Sequence, residues 1–271
     1  MSHIAITIQV GPEQTDLLIA QLSAAGFEGF EEQPDLLIAY IPEADFNEVV
    51  LKDVLAPYGV AYTQETIQQV NWNALWESNF EPVQVDDFCG IRAAFHPPFS
   101  PTPTYEIVIT PKMAFGTGHH ATTSSMIKLM QGLSFTGKSV FDFGTGTGIL
   151  AILAEMMGAA KLDAIDYDEW AVNNTMENIA ANNTHKIRVW QADSLDAVTA
   201  TYDIVLANIN CNVLLHFMAD MHRLLQPGGI LLLSGILPSD EEQILAAAIP
   251  VGFSLQKKIE KDNWLAMQFV A

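Results

Sequence analysis

The run Val140-Phe141-Asp142-Phe143-Gly144-Thr145-Gly146-Thr147-Gly148 restricts this chain more than any other stretch. Val140 to Phe143 reads as the buried end of a strand, and Ile149 to Met157 reads as a largely apolar helix. A strand, a glycine turn and a helix in that order begin a parallel α/β sheet. The glycines follow the pattern GxGxG, and Ile149 stands where a dinucleotide-binding loop carries its third glycine. In such a loop that glycine permits close helix-strand packing while the helix N-terminus faces a pyrophosphate. A cofactor without phosphate needs only glycines that let the backbone come near it, and S-adenosylmethionine is the candidate. Lys161 to Ile165 reads as the next strand and ends on Asp166. A carboxylate there, about 20 residues beyond the loop, is placed to accept hydrogen bonds from ribose hydroxyls.

The alternation continues to the C-terminus. Asp168 to Asn182 has helical spacing, Ile187 to Ala192 is a strand ending in Asp193-Ser194, and Asp203 to Ala207 is a buried strand ending in Asn208-Ile209-Asn210. Leu214 to Leu225 reads as a helix, Pro227-Gly228-Gly229 as a turn, Ile230 to Ser234 as a strand and Glu241 to Ile249 as a helix. Phe253 to Lys258 and Trp264 to Val270, joined across Lys261-Asp262-Asn263, form a terminal hairpin. The expected fold is α/β: a doubly wound, mostly parallel Rossmann-like sheet whose final strand is antiparallel. That arrangement fits a methyltransferase better than a dehydrogenase.

Upstream, the first seventy residues repeat one rhythm. Ile4 to Val10 is a strand, Glu13 to Ala25 a helix and Gly26 to Glu31 a short extended piece; Asp35 to Ile41, Ala44 to Leu55 and Val60 to Ile67 repeat strand, helix, strand. The order βαββαβ is the ferredoxin-like split unit, a small α+β domain. Without a polar cluster suited to chemistry, residues 1–70 read as a recognition module. Trp72, Trp76 and Phe80 recur every four residues and mark a linker helix over 71–85 whose aromatic face packs between domains. The catalytic domain then covers 86–271. Within it, Asp86 to Ile109 reads as short strands around Pro97-Pro98, and Pro111 to Ser124 as a glycine- and threonine-rich loop across the site, with Thr122 or Thr123 capping the next helix.

Composition excludes several classes. The formal charge of −20 repels phosphate backbones and favours a basic protein partner over nucleic acid, although an acidic surface also serves solubility. Apolar runs such as Ile149 to Leu153 are too short to span a bilayer, and Met1 to Val10 lacks signal-peptide character, so a cytoplasmic protein without membrane contact is expected. Cys89 and Cys211 lack metal or disulfide spacing and read as reduced, packed residues. His119 and His120 have no companions at metal-ligand spacing, so no metal is expected.

Methyl transfer from a sulfonium is an in-line displacement in which the protein aligns donor with acceptor and excludes water. At the end of the fourth strand, Asn208 is the catalytic candidate, because an amide oxygen accepts an amine N–H without holding the amine as a cation. Gly144, Gly146 and Asp166, with Asp142 before the loop and Asp193 beyond the third strand, are the candidate cofactor contacts along the strand-end rim.

Taken together, Ala114-Phe115-Gly116-Thr117-Gly118, His120, Thr122-Thr123, Asp142-Phe143-Gly144-Thr145-Gly146, Asp166 and Ala207-Asn208-Ile209 resemble the ribosomal protein L11 methyltransferase family. The likeness extends through the N-terminal domain, the tryptophan-bearing linker and Leu233-Ser234-Gly235-Ile236. It implies trimethylation, with S-adenosylmethionine, of lysine or N-terminal amino groups on that large-subunit ribosomal protein, with the N-terminal domain recognising it. The acidic charge points to the free protein before assembly as the acceptor, and a monomeric enzyme is expected. The resemblance also implies cofactor contacts at Thr123, Gly144, Asp166 and Asn208. The chain departs from the family pattern at Gly118-His119-His120-Ala121, where Gly-Thr-His-Pro is usual; at Asn210-Cys211, where Leu-Ala is usual; and at Glu77, where a basic residue is typical. Two other enzymes remain open from the residues alone, as does a noncatalytic cofactor-binding module, against which Asn208 and the threonine-rich loop count. A glutamine or nucleobase-amine methyltransferase typically carries prolines after the strand-end Asn, where this chain has Ile209-Asn210, and a nicotinamide oxidoreductase needs the missing third glycine.

Overall fold

The computed structural model describes residues 2–33, 35–67, 81–110 and 121–271. The aromatic stripe Trp72, Trp76 and Phe80, Glu77, and the stretch Ala114 to His120 lie outside the described residues. The chain divides into two compact units, Met1–Ser78 and Asn79–Ala271.

In the first unit, β1 (His3–Gln9), α1 (Pro12–Ala24), β2 (Gly29–Gln33), β3 (Leu36–Pro42), α2 (Glu48–Leu55) and β4 (Tyr62–Ile67) follow the expected order. They build an antiparallel sheet ordered β2-β3-β1-β4. Strand alternation places Ile4, Ile6 and Ile8 of β1 and Leu37, Ala39 and Ile41 of β3 on one face, where they are buried with Leu18 and Leu22 of α1 and Leu51 and Leu55 of α2. Helix α2 begins four residues later than its apolar spacing suggests. Asn47 stops it: its side-chain oxygen accepts from Val49 N at 2.9 Å and caps the first turn.

The second unit opens with β5 (Val83–Val85), β6 (Cys89–Ala93) and β7 (Tyr105–Ile109). β5 runs antiparallel to β6, and β6 parallel to β7. Residues 83–85, expected within the linker helix, are therefore a strand that pairs with β6. Helix α3 (Ala121–Gln131) follows, so Thr122 and Thr123 lie inside its first turn and do not cap it. Next come β8 (Ser139–Phe143), α4 (Ile149–Met156), β9 (Lys161–Asp166), α5 (Glu169–Ala181), β10 (Ile187–Gln191), β11 (Tyr202–Asn208), α6 (Cys211–His216), α7 (Met218–Arg223), β12 (Leu225–Ile236), α8 (Glu241–Ala248), β13 (Ser254–Lys261) and β14 (Trp264–Val270).

These strands form a sheet ordered β10-β9-β8-β11-β12-β14-β13, parallel except for β14 and its partners. The doubly wound, mostly parallel Rossmann-like sheet with an antiparallel final strand, expected from the alternation, is what the chain adopts. Strand order runs outward one way from β8 through β9 to β10 and the other way from β11, so the reversal lies between β8 and β11. Crevices at such reversals are where open α/β sheets bind ligands. Ala207 pairs with Phe143, which puts Asn208 and Gly144 side by side at that point.

Two expected elements differ in detail. The helix expected over Leu214 to Leu225 is two short helices meeting at Phe217, whose ring packs edge-on to Phe143 at 5.2 Å. β12 begins at Leu225, before the Pro227-Gly228-Gly229 turn: Tyr202 pairs with Leu225 and Ile204 with Ile230, so the turn bulges out of the strand. The terminal hairpin turns on Asp262 and Asn263, both with positive φ (50° and 61°), a geometry these two residue types tolerate.

Candidate active site

A cavity of about 470 Å³ opens at the carboxyl ends of β8, β9 and β11. It is of the size that takes a small organic ligand. Its floor is the glycine loop. Gly144, Gly146 and Gly148 all adopt left-handed φ (74°, 58° and 80°), so the alternate spacing serves the backbone as much as any ligand. At Gly144 a Cβ would fall 2.3 Å from Ile209 Cγ2, and at Gly148 it would fall 2.8 Å from Thr175 Cγ2. Gly148 thus performs the close-packing role that a dinucleotide loop gives to its third glycine.

The loop is tied down on every side. Gly144 N and Thr145 N both donate to Ile165 O at 2.9 Å, Gly146 N donates to Asp166 Oδ2 at 2.9 Å, and Thr145 Oγ1 donates to Asp142 Oδ2 at 2.7 Å. From α5, Thr175 Oγ1 donates to Gly146 O and Asn178 Nδ2 to Thr147 O, each at 2.8 Å.

Asp166, at the end of β9, lines the cavity. Its Oδ1 accepts from Asp168 N at 3.1 Å and its Oδ2 from Gly146 N, which orients the carboxylate and leaves each oxygen a lone pair for a ligand hydroxyl. Asn208, at the end of β11, and Thr123, on α3, meet across the opposite wall: Asn208 Nδ2 donates to Thr123 Oγ1 at 3.4 Å. With its nitrogen so engaged, the amide presents its oxygen as an acceptor. Gly144 and Gly146 complete the set, so Thr123, Gly144, Gly146, Asp166 and Asn208 share one cavity.

Two expected contacts fall elsewhere. Asp142 is buried beneath the loop and does not line the cavity. Burial pushes its carboxyl up to about 7, against the pull of the Thr145 hydroxyl and Ala151 N–H; the nearby Asp166 charge adds to the rise. Its work is to hold Thr145. Asp193 is exposed and also lies outside the lining, because β10 is the edge strand of the sheet and stops at Gln191.

Sequence reading missed Tyr167, Gly235 and Trp264, which line the cavity. Gly235 left a signal. It interrupts the apolar run of β12, and a Cβ there would fall 2.1 Å from Ile209 O. Tyr167, 75 % exposed, and Trp264 left none; the latter arrives only because β14 inserts between β12 and β13.

Among the described residues no group of three or more His, Cys, Asp or Glu could hold a metal ion, and no helix is long and apolar enough to cross a membrane. Both cysteines are free; burial pushes the Cys89 thiol up to about 12.

The family model described as Ribosomal protein L11 methyltransferase (PrmA) matches residues 8–271. The chain belongs to that family. A ribosomal protein L11 methyltransferase of Phocaeicola vulgatus is 39% identical over 284 residues, spanning 100% of this chain and 99% of the relative. One from Bacteroides fragilis is 42% identical over 262 residues, spanning 94% and 93%. The crystal structure of a ribosomal protein L11 methylase from Lactobacillus delbrueckii subsp. bulgaricus superposes with a TM-score of 0.64 at 24% identity, covering 70% of this chain and 97% of that one, a likeness of fold. Family membership removes the nicotinamide oxidoreductase left open by the residues.

Proposed function

We propose that this chain transfers methyl groups from S-adenosylmethionine to lysine side-chain or N-terminal amino groups of ribosomal protein L11. The observation that carries the reading is the convergence of Asp166, Gly144, Asn208 and Thr123 on one cavity at the sheet's reversal point, in a member of this family. The residues fit the donor. A carboxylate with free lone pairs suits the ribose diol, glycine backbone allows close approach, and no phosphate-binding arrangement is called for.

S-adenosylmethionine supplies a methyl group on a cationic sulfur, which departs with the bonding pair as the amine nitrogen attacks in line. The protein must present that nitrogen neutral. A lysine amine with a pKa of about 10.4 costs roughly 4–5 kcal/mol to deprotonate at pH 7. Asn208 meets the requirement because its amide oxygen accepts an N–H and aims the lone pair, whereas a carboxylate at the same position would stabilise the ammonium form. The amine proton leaves to solvent before attack. Thr123 holds the Asn208 amide nitrogen and so fixes which way the oxygen faces.

Residues 1–70 serve as the substrate-recognition domain, and the catalytic domain begins no later than β5 at Val83 and runs to Ala271, with the connection between them. Between residues 1 and 67 there are eleven acidic side chains against a single lysine, a balance suited to a lysine-rich protein. The acceptor is the free ribosomal protein, met by a monomeric enzyme in the cytoplasm without direct nucleic-acid contact, since the charge of −20 opposes approach to assembled RNA.

Calorimetric titration tests the donor assignment. S-adenosylmethionine should bind and NAD should not; NAD binding with no response to S-adenosylmethionine would overturn it.

A further inference from the structure

Helix α5 carries Asn174 and Asn178, and Asn182 is its C-cap residue; the four-residue spacing places the three amides in one row. That row faces β7. Asn182 Oδ1 accepts from Val108 N at 2.8 Å, and its Nδ2 donates to Val108 O at 2.6 Å. Two residues on, Asn178 Oδ1 accepts from Thr110 N at 2.8 Å, and Asn174 Nδ2 donates to Thr110 O at 3.1 Å. β7 is an edge strand of its three-stranded sheet. The side-chain amides of α5 therefore stand where a further strand would, satisfying backbone groups of alternate residues.

Asn178 differs from the other two in reaching the glycine loop, its Nδ2 donating to Thr147 O; the second connection of Asn182, from Nδ2 to Asn178 O at 2.7 Å, goes back to α5 and not to the loop. One turn earlier, Thr175 holds Gly146 O. Both side chains are fully buried, as is Thr147, while Gly146 is half-buried at the cavity wall. These two carbonyls fix the peptide planes between Gly146 and Gly148, the stretch in which left-handed glycines give the backbone the most freedom. Gly146 N, at the start of the same stretch, is one of the two backbone groups that orient Asp166.

We infer that Asn178 is a positioning residue for the methyl-donor site: its single amide locks the glycine loop and the end of β7 into one arrangement, so that Asp166 and the loop meet the donor pre-set. The inference rests on the donor reading of the cavity. Asn182, which ties β7 without touching the loop, provides the control that a purely structural role would not separate.

The experiment compares Asn178→Asp, Thr175→Val and Asn182→Ala in the full chain. It measures thermal midpoint, calorimetric Kd for S-adenosylmethionine, and kcat and KM for the donor with free L11. Asn178→Asp keeps the acceptor for Thr110 N but sets an oxygen against Thr147 O. Its donor Kd and KM should rise about tenfold, the worth of a buried hydrogen bond of ~1.4 kcal/mol, with kcat changed less. Asn182→Ala should lower the thermal midpoint and leave Kd within about twofold of the wild type, less than the value of one hydrogen bond. Should Asn178→Asp fail to fold, Thr175→Val carries the test, because it removes only the hydroxyl bonded to Gly146 O and should also weaken donor binding. An unchanged Kd in the folded Asn178→Asp chain, or failing that in Thr175→Val, overturns the inference. An Asn182→Ala shift in Kd as large as that of Asn178→Asp does the same. A wild-type chain that does not bind the donor overturns the donor site as well as this assignment.

Discussion

Asp166 and Asn208 occupy opposite walls of one cavity, and the proposed reaction asks different things of them. Asp166 answers to the donor alone. Asp166→Ala should weaken binding of S-adenosylmethionine by about 1.5–3 kcal/mol, the scale of a hydrogen bond to a charged group, as read by calorimetry. Asn208 answers to the acceptor too, so Asn208→Ala should cut turnover by more than it weakens donor binding. Asp142 makes a pH prediction. Its folded pKa of about 7 lies above the ordinary value near 4, so folding takes up a proton between those values. The contribution of this group to stability is full below about pH 4 and is lost as the pH rises through about 7. Asp142→Asn should therefore gain stability relative to the wild type between about pH 5.5 and pH 8, measured by thermal unfolding at matched salt. That Gly144, Asp166 and Asn208 would stand together on one rim was legible because each lies at the end of a strand or just beyond it, and strand ends show in the apolar pattern. Asp142 was misplaced because β8 is buried on both faces, so alternation does not say which way a side chain points.

Among the elements, α6 explains the family departure at Asn210. This residue caps a helix of six residues, its side chain accepting from Val213 N at 3.1 Å. Asn210→Ala should cost about 0.5–2 kcal/mol of stability by denaturant unfolding, the range for a lost N-cap. The polar side chain at this position thus has a local structural use, and it also stands at the cavity wall. Strands β8, β9 and β11 were readable because they are short apolar runs bounded by glycine or polar residues. The division between α6 and α7 was not, since an apolar helical period passes through Phe217 without a breaker residue. Nor did any local pattern show that Pro227-Gly228-Gly229 would bulge from β12 and not end it; that depends on pairing with Tyr202, far away in sequence.

Over the whole molecule, the chain's order of elements reveals both folds, because each rests on a periodicity and a connection rule that local residues obey. What it conceals is the arrival of Trp264 at the cavity, a product of sheet order. The acidic balance of residues 1–67 leads to a prediction at this scale. Deleting residues 1–70 should leave donor binding in place and abolish methylation of L11. Raising salt should slow capture of the free substrate by the full chain, because steering between opposite charges is screened within about 10 Å at 0.1 M. The most direct test of the account is intact-mass and fragment mass spectrometry of free L11 incubated with S-adenosylmethionine and either the wild-type chain or Asn208→Ala. The account predicts that the wild type adds whole methyl increments on amino groups, and that Asn208→Ala, still binding the donor, adds them far more slowly. Unmodified L11 with the wild type, or methyl groups on glutamine in place of amines, would contradict it.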